Sequence, residues 1–263
     1  MPTIIYHKND DKKLSVVCGR GVSKRFPTHR HKSVSLGMVL KGSRMLTIQK
    51  SKYIIAEGDV FIINSDESHS IGETLNEEHD YIVFSLSTNL LTEYYGAGLP
   101  VFENIVESKV LSENMERLFY QMIQKNGKLT NIEIAALIEE MMRFRKKGTS
   151  FQQHDSRLEN VKKILDSTLT DNISLDTLSD KAAISVFHMA RLFKNYTGMA
   201  PHQYLLDNRL RCAREMLESG QSVSDIAIAA GFYDTSHFIR HFSNYYGVSP
   251  LDYQKGTHPL SIE

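Results

Sequence analysis

The sequence predicts an α+β protein in two parts, an antiparallel β-barrel or sandwich with trailing helices and then an all-α domain of two helix-turn-helix units. Three observations carry this. Short β-rich runs alternate with turn signals between residues 14 and 87, the apolar period turns helical near Ser112, and a duplicated segment after residue 157 contains nothing that reads as strand. At 263 residues the chain suits one large domain or two modest ones, and 41% hydrophobic with 24% charged residues is a globular balance.

The strand runs are LSVVCG from Leu14, SLGMVL from Ser35, RMLTIQ from Arg44, KYIIA from Lys52, DVFII from Asp59 and YIVFSL from Tyr81. Lys41-Gly42, Glu57-Gly58 and the polar run from Asn64 to Ser68 read as the turns between them. Runs this short, at this spacing, point to antiparallel pairing. Beyond Ser112, Leu118, Met122, Ile134, Leu137, Ile138, Met141 and Met142 recur at three-four spacing, which predicts two amphipathic helices over 112–147 broken near Asn126-Gly127. Their apolar stripe has two compatible uses, covering an open face of the sheet or forming a homodimer interface. The polar stretch GTSFQQHDS, residues 148–156, reads as a linker between domains at 1–147 and 157–263.

Cys18 and Cys212 stand far apart, and Cys212 falls within a helical pattern, so no disulfide framework is expected. The first residues turn polar after six positions and no apolar run is long enough to cross a bilayer. The expected setting is a reducing cytoplasm, without a membrane partner.

The richest signal is internal. Arg191, Phe193, Asn195, Tyr196 and Gly198 coincide with Arg240, Phe242, Asn244, Tyr245 and Gly247 at an offset of about 49. Pro201 falls on Pro250, Tyr204 on Tyr253, His188 on His237 and Ser185 on Asp234. Leu178, Ala182 and Ile184 match Ile226, Ala230 and Phe232 at an offset of about 48, so one copy holds an extra turn residue.

Each copy has the parts of a helix-turn-helix, at about 175–197 and 223–246. In the first, LDTLSDKA leads, Ala182 permits close approach, and Ser185 is the expected N-cap whose hydroxyl accepts an orphan amide. Met189, Leu192 and Phe193 then share a buried face. In the second, VSDIAIAAGF leads, Gly231 supplies a left-handed turn and Asp234 caps the helix that buries Phe238 and Phe242. Gly198 and Gly247 end the two reading helices, and the prolines beyond prevent their resumption. Between the copies HQYLLDNRLRCAREMLES reads as one long helix, which fixes the second reading helix relative to the first.

The segments ARLFKNYTGMAPHQYLLDNRLRCAREML and IAIAAGFYDTSHFIRHFSNYYGVSPLDY strongly resemble the AraC/XylS family of bacterial transcription regulators, continuously over roughly 100 residues. The resemblance implies a DNA-binding regulator, not an enzyme, that reads two successive major-groove segments and acts as a ligand-responsive activator. It also implies double-stranded promoter DNA, RNA polymerase and a small-molecule effector as partners, homodimers formed through the N-terminal domain, and no cofactor. Carried over position by position, the DNA-contacting residues are Val186, Phe187, Ala190, Arg191 and Lys194 in the first reading helix and Thr235, Ser236, Ile239 and Arg240 in the second. Arg191 and Arg240 suit bidentate contact to guanine or a phosphate clamp, unless they pair with a carboxylate such as Asp180 or Asp225. Phe187 suits a thymine methyl or packing on the leading helix, while His188 and His237 suit capping or packing. The net charge is zero and the second part is nearly balanced too, so DNA affinity must come from where charges lie.

In the first part, His29 and His31 of FPTHRH are two apart on an expected strand and share a face, with Arg30 opposite, and AEGDVFIINSDESH brings His69 in after a glycine turn and a strand. Two histidines on one strand and a third on a neighbour form the pattern of a cupin metal site. The stretch LGMVLKGSRMLTIQKSKYIIAEGDVFIINSDESH resembles the cupin-like effector domain fused to AraC-type DNA-binding regions, making the expected first part a cupin-like barrel. The acidic ligand that follows the histidine pair in metal-bearing cupins is absent, for Ser33, Ser35 and Leu36 stand there. His29, His31 and His69 are therefore expected to line an effector pocket and not a metal centre, although a metal site and plain structural histidines remain alternatives. A metal cupin could be an oxygenase or isomerase; fusion to a DNA-binding part favours a sensor.

Overall fold

The computed structural model describes residues 3–8, 13–72, 78–95, 99–124, 129–146, 155–170 and 173–255. They fall into two compact units, one drawn from residues 1–25, 30–149 and 255–263 and the other from residues 26–29 and 150–254. In chain order the first elements are β1 (Thr3–Lys8), β2 (Leu14–Val22), β3 (Phe26–His29), β4 (Val34–Lys41), β5 (Ser43–Ile48), β6 (Ser51–Ala56), β7 (Val60–Ile63), β8 (His69–Gly72), β9 (His79–Leu86), α1 (Thr88–Tyr95), β10 (Ile105–Val106), α2 (Lys109–Gln124) and α3 (Asn131–Met142). Helices follow: α4 (Ser156–Ser167), α5 (Leu175–Ala182), α6 (Val186–Thr197), α7 (Pro201–Glu218), α8 (Val223–Ala229), α9 (Thr235–Tyr246) and α10 (Pro250–Lys255).

Two antiparallel sheets are formed, with strand orders β1-β2-β9-β4-β7-β10 and β3-β8-β5-β6. Alternation places each side chain. In β5, Arg44, Leu46 and Ile48 are buried while Ser43, Met45 and Thr47 are half-buried, as a strand with one covered face requires. Central β4 is buried on both faces because it separates two cores. One core lies between the sheets, where Val39, Phe61 and Ile63 meet Leu46, Ile48 and Ile55. Gly37 makes room there, since a Cβ on it would stand 2.0 Å from the Phe61 ring.

The other core joins the six-stranded sheet to the helices. Leu111, Met115, Leu118, Phe119 and Met122 of α2 and Ile134, Leu137, Ile138 and Met141 of α3 pack with Leu36, Met38, Ile62 and Phe84. The helical stripe therefore covers the sheet within one chain, and a dimer interface would need other residues. Thr130 and Glu133 form a reciprocal capping box that starts α3.

All six predicted strands are present. β1, β8, β10 and α1 lie outside the predicted set because two to eight residues show too little period to be recognised. The predicted helix break at Asn126-Gly127 and all of the predicted linker except Asp155 and Ser156 fall outside the described residues. Those two residues open α4, whose N-cap Asp155 accepts from Arg157 N at 3.0 Å.

His79 in β9 is buried with its Nδ1 beside the Val22 carbonyl and the Arg44 guanidinium, which itself is fully buried. Burial, reinforced by the Arg44 charge, pushes its pKa down to about 4. Unfolding restores an ordinary value near 6.5, so the unfolded chain binds the extra proton between the two. Stability from this group is full above about pH 6.5 and is lost as pH falls towards 4, by about 2 kcal/mol after allowance for solvent screening. Thermal unfolding of the parent and His79→Gln across that window checks this: the variant should show the flatter pH dependence, and identical slopes would refute the assignment.

Candidate nucleic-acid interface

The first helix-turn-helix is α5, a tight turn and α6. Ser174 caps α5, its Oγ accepting from Thr177 N at 3.0 Å. The turn is made by Ala183 in the left-handed region, φ 53°, with Ala183 N and Ile184 N donating back to Asp180 O and Ser179 O. Ser185 does occupy the N-cap of α6, but its hydroxyl makes no cap hydrogen bond, contrary to the sequence expectation. The residue is exposed, so solvent competes for both its hydroxyl and the first-turn amides.

The second unit repeats this with different chemistry. Ser222 caps α8, Gly231 turns the chain at φ 78°, and the Asp234 carboxylate accepts from His237 N at 2.6 Å to open α9. Gly198 and Gly247 end α6 and α9 at φ 76° and 81°. Pro201 and Pro250 do more than stop these helices, since each is the first residue of the next one, α7 and α10, where a missing N–H has no cost.

This framework sets which side chains face out. On α6, Phe187, Arg191 and Lys194 are exposed at positions i, i+4 and i+7, with Val186 and Ala190 half-buried beside them and Met189 and Phe193 buried on the reverse. On α9, Ser236, Ile239 and Arg240 are exposed and Thr235 is half-buried, against buried Phe238 and Phe242. Among the described residues Arg191 and Arg240 form no ion pair with Asp180 or Asp225, and the Asp225 carboxylate accepts from the Ser222 hydroxyl at 2.6 Å. Phe187 is 80% exposed and so does not pack on the leading helix. His237 packs as expected, its ring edge-on to Phe232 at 5.8 Å and its Nε2 2.9 Å from that of His241.

Tyr233 is 93% exposed in the turn before α9, and the sequence reading passed over it. It is the extra residue of the second copy, so the one-residue change of offset was its signal.

Tyrosine–carboxylate pairs brace the helices within each copy, and one of them joins the two copies. Tyr196 donates to Glu159 of α4, and Tyr245 donates to buried Asp207 of α7 at 2.8 Å. Tyr204 of α7 reaches back to Asp166 of α4 at 2.8 Å, and Tyr253 of α10 to Glu218 of α7 at 2.8 Å. Each copy is thus a three-helix unit, α4-α5-α6 and α7-α8-α9, and α7 serves as both the link and the first helix of the second copy. Its 18 residues span about 27 Å.

In the first part, His29 and His69 are buried and His31 is half-buried. His31 lies beyond the end of β3 and not on a strand, because the chain leaves extended pairing after His29. Arg30, expected on the opposite face, is also buried, with Nη1 3.8 Å from an Asp66 oxygen. The rings of His31 and His69 are 4.9 Å apart. His31 and His69 belong to the first unit, whereas His29, at the end of β3, groups with the second. Burial lowers the pKa of His29, favouring the neutral imidazole.

Comparisons with known proteins agree with this geometry. A model of the AraC-like ligand binding domain matches residues 17–143, and a helix-turn-helix domain model matches residues 178–256. The chain is 28% identical over 228 residues to the HTH-type transcriptional regulator YbfI of Bacillus subtilis, covering 83% of each chain. It is 26% identical over 246 residues to the HTH-type transcriptional activator RhaS of Escherichia coli O81, covering 88% of each. Among solved structures, ToxT from Vibrio cholerae O395 shares the fold with a TM-score of 0.57 at 12% identity, over 94% of this chain and 98% of that one.

Proposed function

The chain belongs to the AraC family of DNA-binding transcription regulators, with an AraC-like ligand-binding domain, and from that premise we propose that α6 and α9 read two successive major-groove segments on one side of a promoter. One observation carries this reading: Arg191 and Arg240 stand at equivalent places on equivalent helices, exposed and without an ion pair among the described residues. A guanidinium in that position is a bidentate donor awaiting guanine or phosphate. Val186, Phe187, Ala190 and Lys194 extend the first contact surface, and Thr235, Ser236 and Ile239 the second. Reading helices on one side of a duplex must lie about 34 Å apart, which α7 and its flanking turns are long enough to bridge.

The direction of regulation is taken as activation through RNA polymerase, in line with the RhaS relatives named as activators. The first part, proposed as residues 1–147, receives an effector at His29, His31 and His69 and pairs two copies of the chain in the cytoplasm. No helix among the described residues is long and apolar enough to cross a membrane. Regulation, not catalysis, is the role assigned to it.

A segment from Asp155 to Glu263 is expected to fold alone and to bind the parent's operator more weakly, because it keeps its own core but loses avidity. Circular dichroism and footprinting test it. An unfolded segment would remove the boundary near residue 150, and protection of a single groove segment would remove the two-site reading.

A further inference from the structure

We propose that His237 and His241 on α9 form a site for a divalent transition-metal ion of tetragonal preference, Cu²⁺ or Ni²⁺, and that the bound ion strengthens operator binding by adding positive charge to that helix. The second clause rests on the reading of α9 as a DNA-contacting helix; the first stands without it.

The repeat shows what sets this pair apart. Where the second copy has His241 the first has Leu192, and where the second has Phe232 the first has Ile184, both packed against the core of that copy. The second copy gives up the leucine contact for another imidazole four residues after His237, a spacing at which helical side chains meet on one face. Phe232 flanks both rings, edge-on to His237 at 5.8 Å and tilted to His241 at 6.4 Å. Both histidines are half-buried, which keeps the pair within reach of solvent.

Orientation selects the donor atoms. The two Nε2 atoms stand 2.9 Å apart, with the ring planes at 85°. Two N–H groups cannot point at each other across that distance, so at least one Nε2 presents its lone pair and at most one proton lies between them. His237 Nδ1 is buried and makes no hydrogen bond, which leaves Nε2 as the atom of that ring open to a ligand. An ion between the rings takes the place of the shared proton, which moves to Nδ1 of the ring that held it or leaves to solvent.

Distance selects the ion. With metal–nitrogen bonds of about 2.0–2.1 Å, nitrogens 2.9 Å apart subtend about 90° at the ion. That is the cis angle of square-planar and tetragonal coordination, favoured by Cu²⁺ and Ni²⁺, whereas a tetrahedral zinc site would need about 3.3–3.4 Å between nitrogens. Water fills the remaining positions.

The added charge falls beside the reading surface. Exposed Arg240 stands between the two histidines in sequence, on a chain whose net charge is zero. Two further positive charges on α9 raise its attraction for phosphate, an effect that should fade as salt is raised.

The test titrates the full chain, stripped of metal by chelation, with Ni²⁺ by isothermal calorimetry. Other histidines of the chain can also bind nickel, so the readout is the difference between variants. His241→Leu, which copies the first repeat, and His237→Gln should each lose one Ni²⁺ per chain. His188→Gln, on the equivalent helix with Leu192 four residues on, should lose none. His241→Gln replaces His241→Leu if circular dichroism shows a folding defect. In fluorescence anisotropy at low salt, Ni²⁺ should tighten operator binding at least about fivefold more in the parent than in His241→Leu. Equal nickel stoichiometry in the parent and both variants overturns the site. Loss of one ion with no difference in operator response overturns the charge effect. Failure of Arg240→Ala to weaken operator binding, measured without metal, would separately remove the DNA-reading premise.

Discussion

Arg191→Ala and Arg240→Ala are each expected to weaken specific operator binding by about 1–3 kcal/mol, roughly 5- to 150-fold, with no loss of fold. The fold should survive because both side chains are exposed and tie down nothing among the described residues. Lysine separates the two ways an arginine can bind DNA. It keeps the charge and loses the planar fork, so Arg240→Lys should retain non-specific binding while losing most discrimination between operator and random duplex. Lys194 provides a contrast: as a phosphate contact, its removal should weaken all sequences alike and reduce the salt slope by about 1. Fluorescence anisotropy at matched salt measures all of this. An arginine variant that binds its operator like the parent removes that residue from the interface.

Such a test is needed because exposure shows only that these residues are available. The duplicated positions were legible because each reading helix repeats its buried phenylalanines, its terminal glycine and its arginine at a constant offset. The helix that begins the first copy was not. α4 keeps Leu158, Val161 and Leu165 for the core, yet its sequence resembles that of α7 too little to extend the repeat upstream. What the copies share there is a carboxylate partner for a tyrosine, Glu159 for Tyr196 and Asp207 for Tyr245. A single acid among many solvated ones carries no sequence signal until its partner is known. Hydroxyl direction was equally out of reach, as Ser185 shows by taking the N-cap position without capping. In the first part, alternation exposed the long strands, whereas the end of β3 before His31 depends on pairing between distant segments that no local pattern encodes.

Gly231→Ala is expected to destabilise the second helix-turn-helix by more than about 3 kcal/mol, and two other positions show why. Backbone strain at a positive φ contributes only about 1–2 kcal/mol, and the first copy already tolerates it, since Ala183 sits at φ 53° in the equivalent turn. The difference lies in what a methyl group would meet. A Cβ at Gly231 would stand 2.4 Å from the Leu169 carbonyl oxygen and 2.9 Å from Thr170 Cα, both backbone atoms that cannot swing aside. Leu169 O is also the acceptor for Arg209 Nε at 2.6 Å, so displacing it would strain a contact that ties the end of α4 to α7. Gly220 isolates the strain, because it has φ 84° and nothing within 4 Å of an added Cβ. Gly220→Ala should therefore cost about 1 kcal/mol and leave operator binding intact, whereas Gly231→Ala should lower the urea midpoint far more and weaken contact through α9. Equal costs at the two glycines would show that strain alone governs the turn and that the close approach of Leu169 has no energetic weight.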